Sequence, residues 1–172
     1  MTKRICSGKT RPRQSIFLPL FALLLLSIPL FSHAADTFTG KVVGLSYRDP
    51  ISVMCEGKAV KVRLHGIDCP EKKQPYGTRA KQFTSEMAFS NEGTVYVKDK
   101  ERYGRIVGEV ILPGGISLNN ELVYVGLAWW YRKYAPDDGM LERLEAEARE
   151  AKRGLWAGEN AIAPWEWRRI KR

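Results

Sequence analysis

The stretch from Val62 to Glu71, Val-Arg-Leu-His-Gly-Ile-Asp-Cys-Pro-Glu, constrains the fold of this chain more than any other. Val60, Val62 and Leu64 alternate with Lys61, Arg63 and His65, the period of a strand with one buried face. Gly66 and Pro70 break that pattern and turn the chain. Asp68 and Glu71 sit in the turn, so one end of a sheet gathers an arginine and two carboxylates. Arginine grips phosphate through paired N–H donors, and carboxylates hold hard cations. A charged strand end with structural ion pairs has the same composition, and spacing alone leaves both readings open.

The first residues read as a leader rather than as part of a domain. Lys3, Arg4, Lys9, Arg11 and Arg13 precede an apolar, leucine-rich run from Ile16 to Phe31, and Ser32-His33-Ala34 places small residues before a cut. This is the pattern of a secretory signal peptide over residues 1–34, with cleavage expected after Ala34 and Ala35 as the alternative. A retained anchor fits less well, because Pro19 and Pro29 interrupt a run shorter than the ~20 residues of a span. No cysteine lies at the cut. The expectation is a secreted or periplasmic protein with no membrane span after processing. Residues 35–172 suffice for one domain with a core. The formal charge of +9 includes five leader bases out of 28, which leaves 23 bases against 19 acids, a balance of +4. That is compatible with a nucleic-acid partner and does not establish one. Cys55 and Cys69 remain in an oxidising compartment, either as a disulfide or as two thiols.

Beyond the leader, alternation and turn residues give five strands: Thr37 to Leu45, Ile51 to Cys55, Ala59 to Ile67, Thr94 to Lys98, and Arg105 to Leu112. Glu56-Gly57-Lys58 is a hairpin turn, and Pro113-Gly114-Gly115 closes the last strand. Helices are expected from Thr78 to Phe89, from a capping Ser117 onward, and from Met140 to Arg153, with Gly154 as a C-cap. Glu145 and Arg149 form an i,i+4 pair on a helix whose charges read as a solvated face. Five strands with a helix after the third and helices at the end suggest an α+β fold, a small five-stranded barrel of OB type. The tail Pro164-Trp165-Glu166-Trp167-Arg168-Arg169 is aromatic and basic. It either packs back on the domain or touches a ligand, and packing is the ordinary use of two tryptophans. Trp129 and Trp130 read as core and edge, and His65 as a rim group. There is no zinc pattern.

A second cluster, Glu101-Arg102-Tyr103-Gly104-Arg105, turns the chain and aims Arg105 from the start of the fifth strand. Two strand-borne arginines and two turn-borne acids are the parts of a phosphoryl-transfer site: a base for water, cations for phosphate, and donors for the growing charge.

Five ordered motifs carry a resemblance to a known family: Val-Arg-Leu-x-Gly-Ile-Asp-x-Pro-Glu, Gln74-Pro75-Tyr76-Gly77, Tyr103-Gly104-Arg105, Leu122-Val123-x-x-Gly126-Leu127-Ala128, and Ala151-Lys152-Arg153-Gly154-Leu155-Trp156. In order and spacing, from Thr37 to Trp156, the chain resembles the staphylococcal nuclease (thermonuclease) family. The resemblance implies an OB-fold barrel with three α-helices. It also implies a calcium-dependent phosphodiester hydrolase of DNA and RNA, acting by water attack and expected to be a monomer. Position by position, Arg63 and Arg105 resemble the family's catalytic arginines, and Glu71 its general base. Asp68, Asp49 and the backbone carbonyl of Cys69 resemble its calcium ligands. Tyr103 and Tyr134 match positions near the bound nucleotide.

The chain departs from the family where Asp-Gly-Asp-Thr is usual, and carries Tyr47-Arg48-Asp49-Pro50 instead. Calcium takes six to eight oxygens, and an adjacent arginine opposes its binding. A weakened or reshaped metal site is therefore expected beside an intact catalytic trio. The alternatives are a non-catalytic OB module binding single-stranded nucleic acid or another polyanion, and a protein-interaction scaffold.

Overall fold

Alternating β-branched residues build the strands that carry the site. The structure is a computed structural model and describes residues 36–46, 50–101 and 104–171. Residues 1–35, over which a leader is expected, together with Tyr47, Arg48, Asp49, Arg102 and Tyr103, lie outside the described residues. Strands β1 (Thr37–Leu45), β2 (Pro50–Cys55) and β3 (Lys58–Leu64) form an antiparallel meander. On the other edge of β1 lies β5 (Glu92–Lys100), which pairs antiparallel with β6 (Ile106–Leu112). The barrel closes where β6 meets β3 in parallel, with Val62 opposite Ile106, Arg63 opposite Val107 and Leu64 opposite Gly108.

Val42, Val53, Val62, Val95 and Val110 are fully buried inside this barrel. Burying each such side chain is worth about 1.5–3 kcal/mol, and a one-residue slip of a strand would turn its whole apolar set to water. Register is thereby fixed, and with it the outward aim of Arg63. The expected third strand is divided in two. It breaks at His65-Gly66, where Gly66 has φ 72°, and resumes as β4 (Ile67–Asp68), which pairs with β8 (Trp129–Trp130) outside the barrel. A further two-residue strand, β7 (Ile116–Ser117), extends the β6 edge.

The three expected helices are present as α1 (Gly77–Ala88), α2 (Leu118–Tyr124) and α3 (Gly139–Glu150). Ser117 caps α2 and Asp138 caps α3. Ala80, Thr84 and Ala88 recur every four residues on the buried side of α1. The aromatic tail adds a fourth helix, α4 (Pro164–Ile170). Its tryptophan packing is as expected: Trp165 stacks on Tyr131 with centroids 4.7 Å apart and meets the edge of Trp129 at 5.7 Å. Trp129 and Trp130 are buried as expected. Cys55 keeps a free thiol, so the bridge to Cys69 is not made. Among the described residues no helix is long and apolar enough to cross a membrane.

Two expectations about α3 are corrected. Its charges do not all face solvent, because Glu145 is buried. Glu145 accepts from the Trp130 amide at 3.2 Å and pairs with Arg132 at 3.1 Å and Arg149 at 3.5 Å. A carboxylate is tolerated there because donors surround it. Gly154 does not cap α3, which ends at Glu150 with Ala151 as its cap. It is needed instead where two backbones cross. A Cβ on Gly154 would lie 2.3 Å from the Gly126 carbonyl oxygen, and one on Gly126 would lie 2.3 Å from that of Arg153.

Candidate active site

The parallel pairing of β3 with β6 explains why arginines 42 positions apart converge. Arg63 stands opposite Val107, and Arg105 lies two residues before Val107, on the same side by strand alternation. Both reach Glu101 at the end of β5. Arg63 Nη1 donates to Oε1 at 3.4 Å, and Arg105 Nε donates to Oε2 at 2.5 Å. The Glu101 amide also donates to the Arg105 carbonyl at 2.8 Å, closing the turn. Glu101 stood within the second motif of the sequence, but nothing there marked it as the carboxylate that holds both arginines.

The turn after β3 is fastened from three sides. The His65 amide donates to the Gly108 carbonyl at 2.8 Å, and the Tyr131 amide donates to that of Gly66 at 2.8 Å. Buried Asn119 donates to the His65 carbonyl at 2.9 Å and accepts from the Val110 amide at 3.2 Å. Beyond β4, the Glu71 amide donates to Gln74 Oε1 at 3.1 Å, and a Cβ on Gly77 would lie 2.0 Å from the Glu71 carbonyl oxygen. Only glycine lets α1 begin so close to the turn. Asn119 is a residue that sequence reasoning missed, and its one signal is an amide side chain in an otherwise apolar helix face.

Asp68 and Glu71 meet the tail. Arg168 donates to Asp68 Oδ2 at 2.6 Å, to Asp68 Oδ1 at 3.2 Å and to Glu71 Oε1 at 2.9 Å. Asp68 has no exposed surface. Burial, with a smaller contribution from the Glu71 charge, raises its carboxyl from the ordinary aspartate value, against the hydrogen bonds and charge of Arg168 and the charge of Arg63. The same contacts, with Asp68 first, raise Arg168 above its usual value and keep it cationic. The reading of the tail as packing is therefore incomplete, because Trp165 packs while Arg168 enters the carboxylate cluster.

A cavity lies beside Arg63, lined among others by His65, Lys98, Glu101, Tyr131 and Tyr134. Tyr134 is half exposed, and its ring lies 5.9 Å from the Arg63 guanidinium carbon. His65 is a rim group there, as its isolation in the sequence suggested. Burial, then the charge of Lys98, lowers its pKa, with Asp138, Glu109 and Asp99 opposing.

The geometry thus brings together Arg63, Arg105, Asp68 and Glu71 at one end of the barrel, with Tyr134 on the cavity beside Arg63. Cys69 is buried in the core next to Asp68. Among the described residues no three metal-ligating side chains converge. Asp49 lies outside them, and Pro50, which follows it, is paired with Arg63. Oxygen donors of Asp68 and Glu71 already surround a cation, the Arg168 guanidinium, so their chemistry suits a hard metal ion.

The sequence pattern described as staphylococcal nuclease homologue matches residues 61–158. The chain belongs to this family. It is 40% identical over 155 residues to a protein of Escherichia coli named as an uncharacterized endonuclease, covering 90% of this chain and 98% of that one. It is 37% identical over 159 residues to a micrococcal nuclease of Shigella flexneri, covering 87% and 89% respectively. A staphylococcal-like nuclease of Arabidopsis thaliana is 38% identical over 141 residues, which cover 80% of this chain and 43% of the plant protein. The family drawn from the five motifs, the barrel it implied and the nuclease class of enzyme are borne out.

Proposed function

We propose that this chain is a secreted, calcium-dependent endonuclease that hydrolyses phosphodiester bonds of DNA, RNA or both. The observation that carries the reading is the convergence of Arg63 and Arg105 from two strands on one carboxylate, at the barrel end that also holds Asp68 and Glu71. Glu101 occupies those guanidinium groups as a phosphate oxygen would, and paired arginines bind a phosphate in a way lysine does not reproduce.

In this reading Arg63 and Arg105 bind the scissile phosphate and stabilise the charge that grows on its equatorial oxygens. Glu71 takes a proton from the attacking water, whose oxygen forms the new bond to phosphorus. The opposite P–O ester bond breaks, and the departing alkoxide is protonated from solvent. Asp68, Asp49 and the Cys69 carbonyl would hold a calcium ion, which supplies electrostatic stabilisation of the phosphate and a lower pKa for water. Tyr134, and Tyr103 by its place in the sequence, would lie against the nucleotide. Secretion is supported by the charged, apolar and small-residue order of residues 1–34.

The test is cleavage of denatured DNA with chelator and across a calcium titration, for the wild type and Glu71→Gln. Calcium-dependent cleavage by the wild type, with retained DNA binding but no cleavage by Glu71→Gln, is the expected result. Salt-sensitive binding without cleavage at any calcium concentration would show a binding module instead.

A further inference from the structure

The nuclease reading gives no role to α4. The family match ends at residue 158 and α4 begins at Pro164, yet Arg168 makes three hydrogen bonds to the carboxylate cluster. The helix has seven residues and buries only Pro164 fully. A helix so short is not stable by itself in water, so α4 persists through what it docks on. Three attachments hold it: Trp165 on Tyr131 and Trp129, Gln74 Nε2 donating to the Ile162 carbonyl at 2.6 Å just before the helix, and the fork of Arg168 on Asp68 and Glu71. Gln74 also binds the Glu71 amide through Oε1, so one side chain joins the tail to the turn that carries the acids.

Both Asp68 oxygens and Glu71 Oε1 are spent on one guanidinium. A divalent ion held by Asp68 needs the same anionic oxygens of that residue, and it is repelled by an arginine that remains beside them and Glu71. Asp68 is fully buried, and as a carboxylate it is stabilised by a cation beside it. We propose that Arg168 is a resident cation of the Asp68–Glu71 site and competes with the divalent metal for it, so that metal binding and undocking of α4 are one equilibrium. The proposal rests on the calcium reading above. It makes α4 a strap that keeps the site latent. While Arg168 is seated, the metal position is blocked and Glu71 is engaged as an acceptor. When metal displaces it, Asp68 exchanges one positive partner for another and Glu71 loses its Arg168 contact.

Isothermal calorimetry with calcium chloride, on full-length wild type and Arg168→Gln, tests the competition. If the strap is open in about a tenth of molecules or fewer, removing it tightens apparent calcium affinity by about ten-fold or more. Hydrogen–deuterium exchange over residues 163–171 reads the strap itself: saturating calcium should speed exchange there in the wild type, and Arg168→Gln should exchange fast with or without it. Arg168→Lys keeps the charge, loses the fork and should fall between the two, and it serves if the glutamine variant fails to fold. Equal calcium affinity in wild type and variants, or a tail that stays protected in saturating calcium, overturns the strap and leaves the calcium reading standing. Absence of calcium binding in every protein overturns the calcium reading, and the strap with it.

Discussion

Arg168 Nη2 lies 2.6 Å from Oδ2 of Asp68, a carboxylate with no exposed surface, and the two residues are 100 positions apart. A contact of that sequence separation is closed only when the tail folds back across the barrel end. Its loss leaves a buried charge without its partner. Arg168→Gln should therefore cost about 1–3 kcal/mol in urea unfolding, the usual penalty for a buried polar group left unmatched. The neighbouring Arg169 is exposed, and Arg169→Gln should stay within about 0.5 kcal/mol. Equal effects of the two substitutions would mean that the Asp68 contact contributes nothing to the fold.

His65 gives the domain a pH dependence of known sign. Its folded pKa lies below the ordinary 6.5 because burial and Lys98 disfavour the charged ring. As pH falls through about 6.5 the unfolded chain takes up the proton first, so stability declines with falling pH until folded His65 also titrates. Above that value both states are neutral and the contribution is flat. Urea unfolding of His65→Gln, compared with wild type between pH 8 and about 5, should show the difference confined to the acid side. A wild-type curve that rises toward acid relative to the variant would contradict the assignment.

The barrel and the arginine pair were legible because they depend on short-range signals. Alternation of Val60, Val62 and Leu64 defined β3, and the turn after it had to carry Asp68 and Glu71. What was not legible depends on contacts that close over long separations. Nothing local in Glu101 shows that it will meet arginines from two strands, since that follows from the parallel β3–β6 register. Glu145 looked like a surface charge because its helix is amphipathic and its burial is set by Trp130 and Arg132 elsewhere. The tryptophans of the tail signal packing, while Arg168 beside them carries the contact with the acids.

Gly126 and Gly154 cross with no room for a side chain. A Cβ on Gly126 would lie 2.3 Å from the Arg153 carbonyl oxygen, and its φ is 70°. Neither atom is the free end of a flexible chain, so the backbones must part. Leu155 donates to the Gly126 carbonyl at 2.8 Å across the same crossing, and this bond would be strained as well. Gly126→Ala should cost more than about 3 kcal/mol, against about 1–2 kcal/mol for Gly57→Ala, where only the left-handed backbone resists a side chain. Gly57 has φ 76° and nothing within 4 Å of its added Cβ, which makes it the control. Thermal melts of the two variants give the comparison directly.

Glu101 neutralises the two arginines proposed to bind phosphate, so in that reading substrate has to displace it. Arg63 Nη1 and Arg105 Nε both donate to its carboxylate, and Arg63 lines the cavity that also contains Tyr134. Glu101→Gln keeps an acceptor oxygen for positioning but removes the charge that competes with phosphate. Affinity for a single-stranded oligonucleotide should rise several-fold at low salt, and the slope of log affinity against log salt should steepen by about one unit, as one more positive charge becomes available to a phosphate. Measurement with the Glu71→Gln background prevents cleavage during the titration. Weaker binding by the Glu101→Gln variant would show that the carboxylate is needed to aim Arg63 and Arg105, and that its positioning role outweighs the competition.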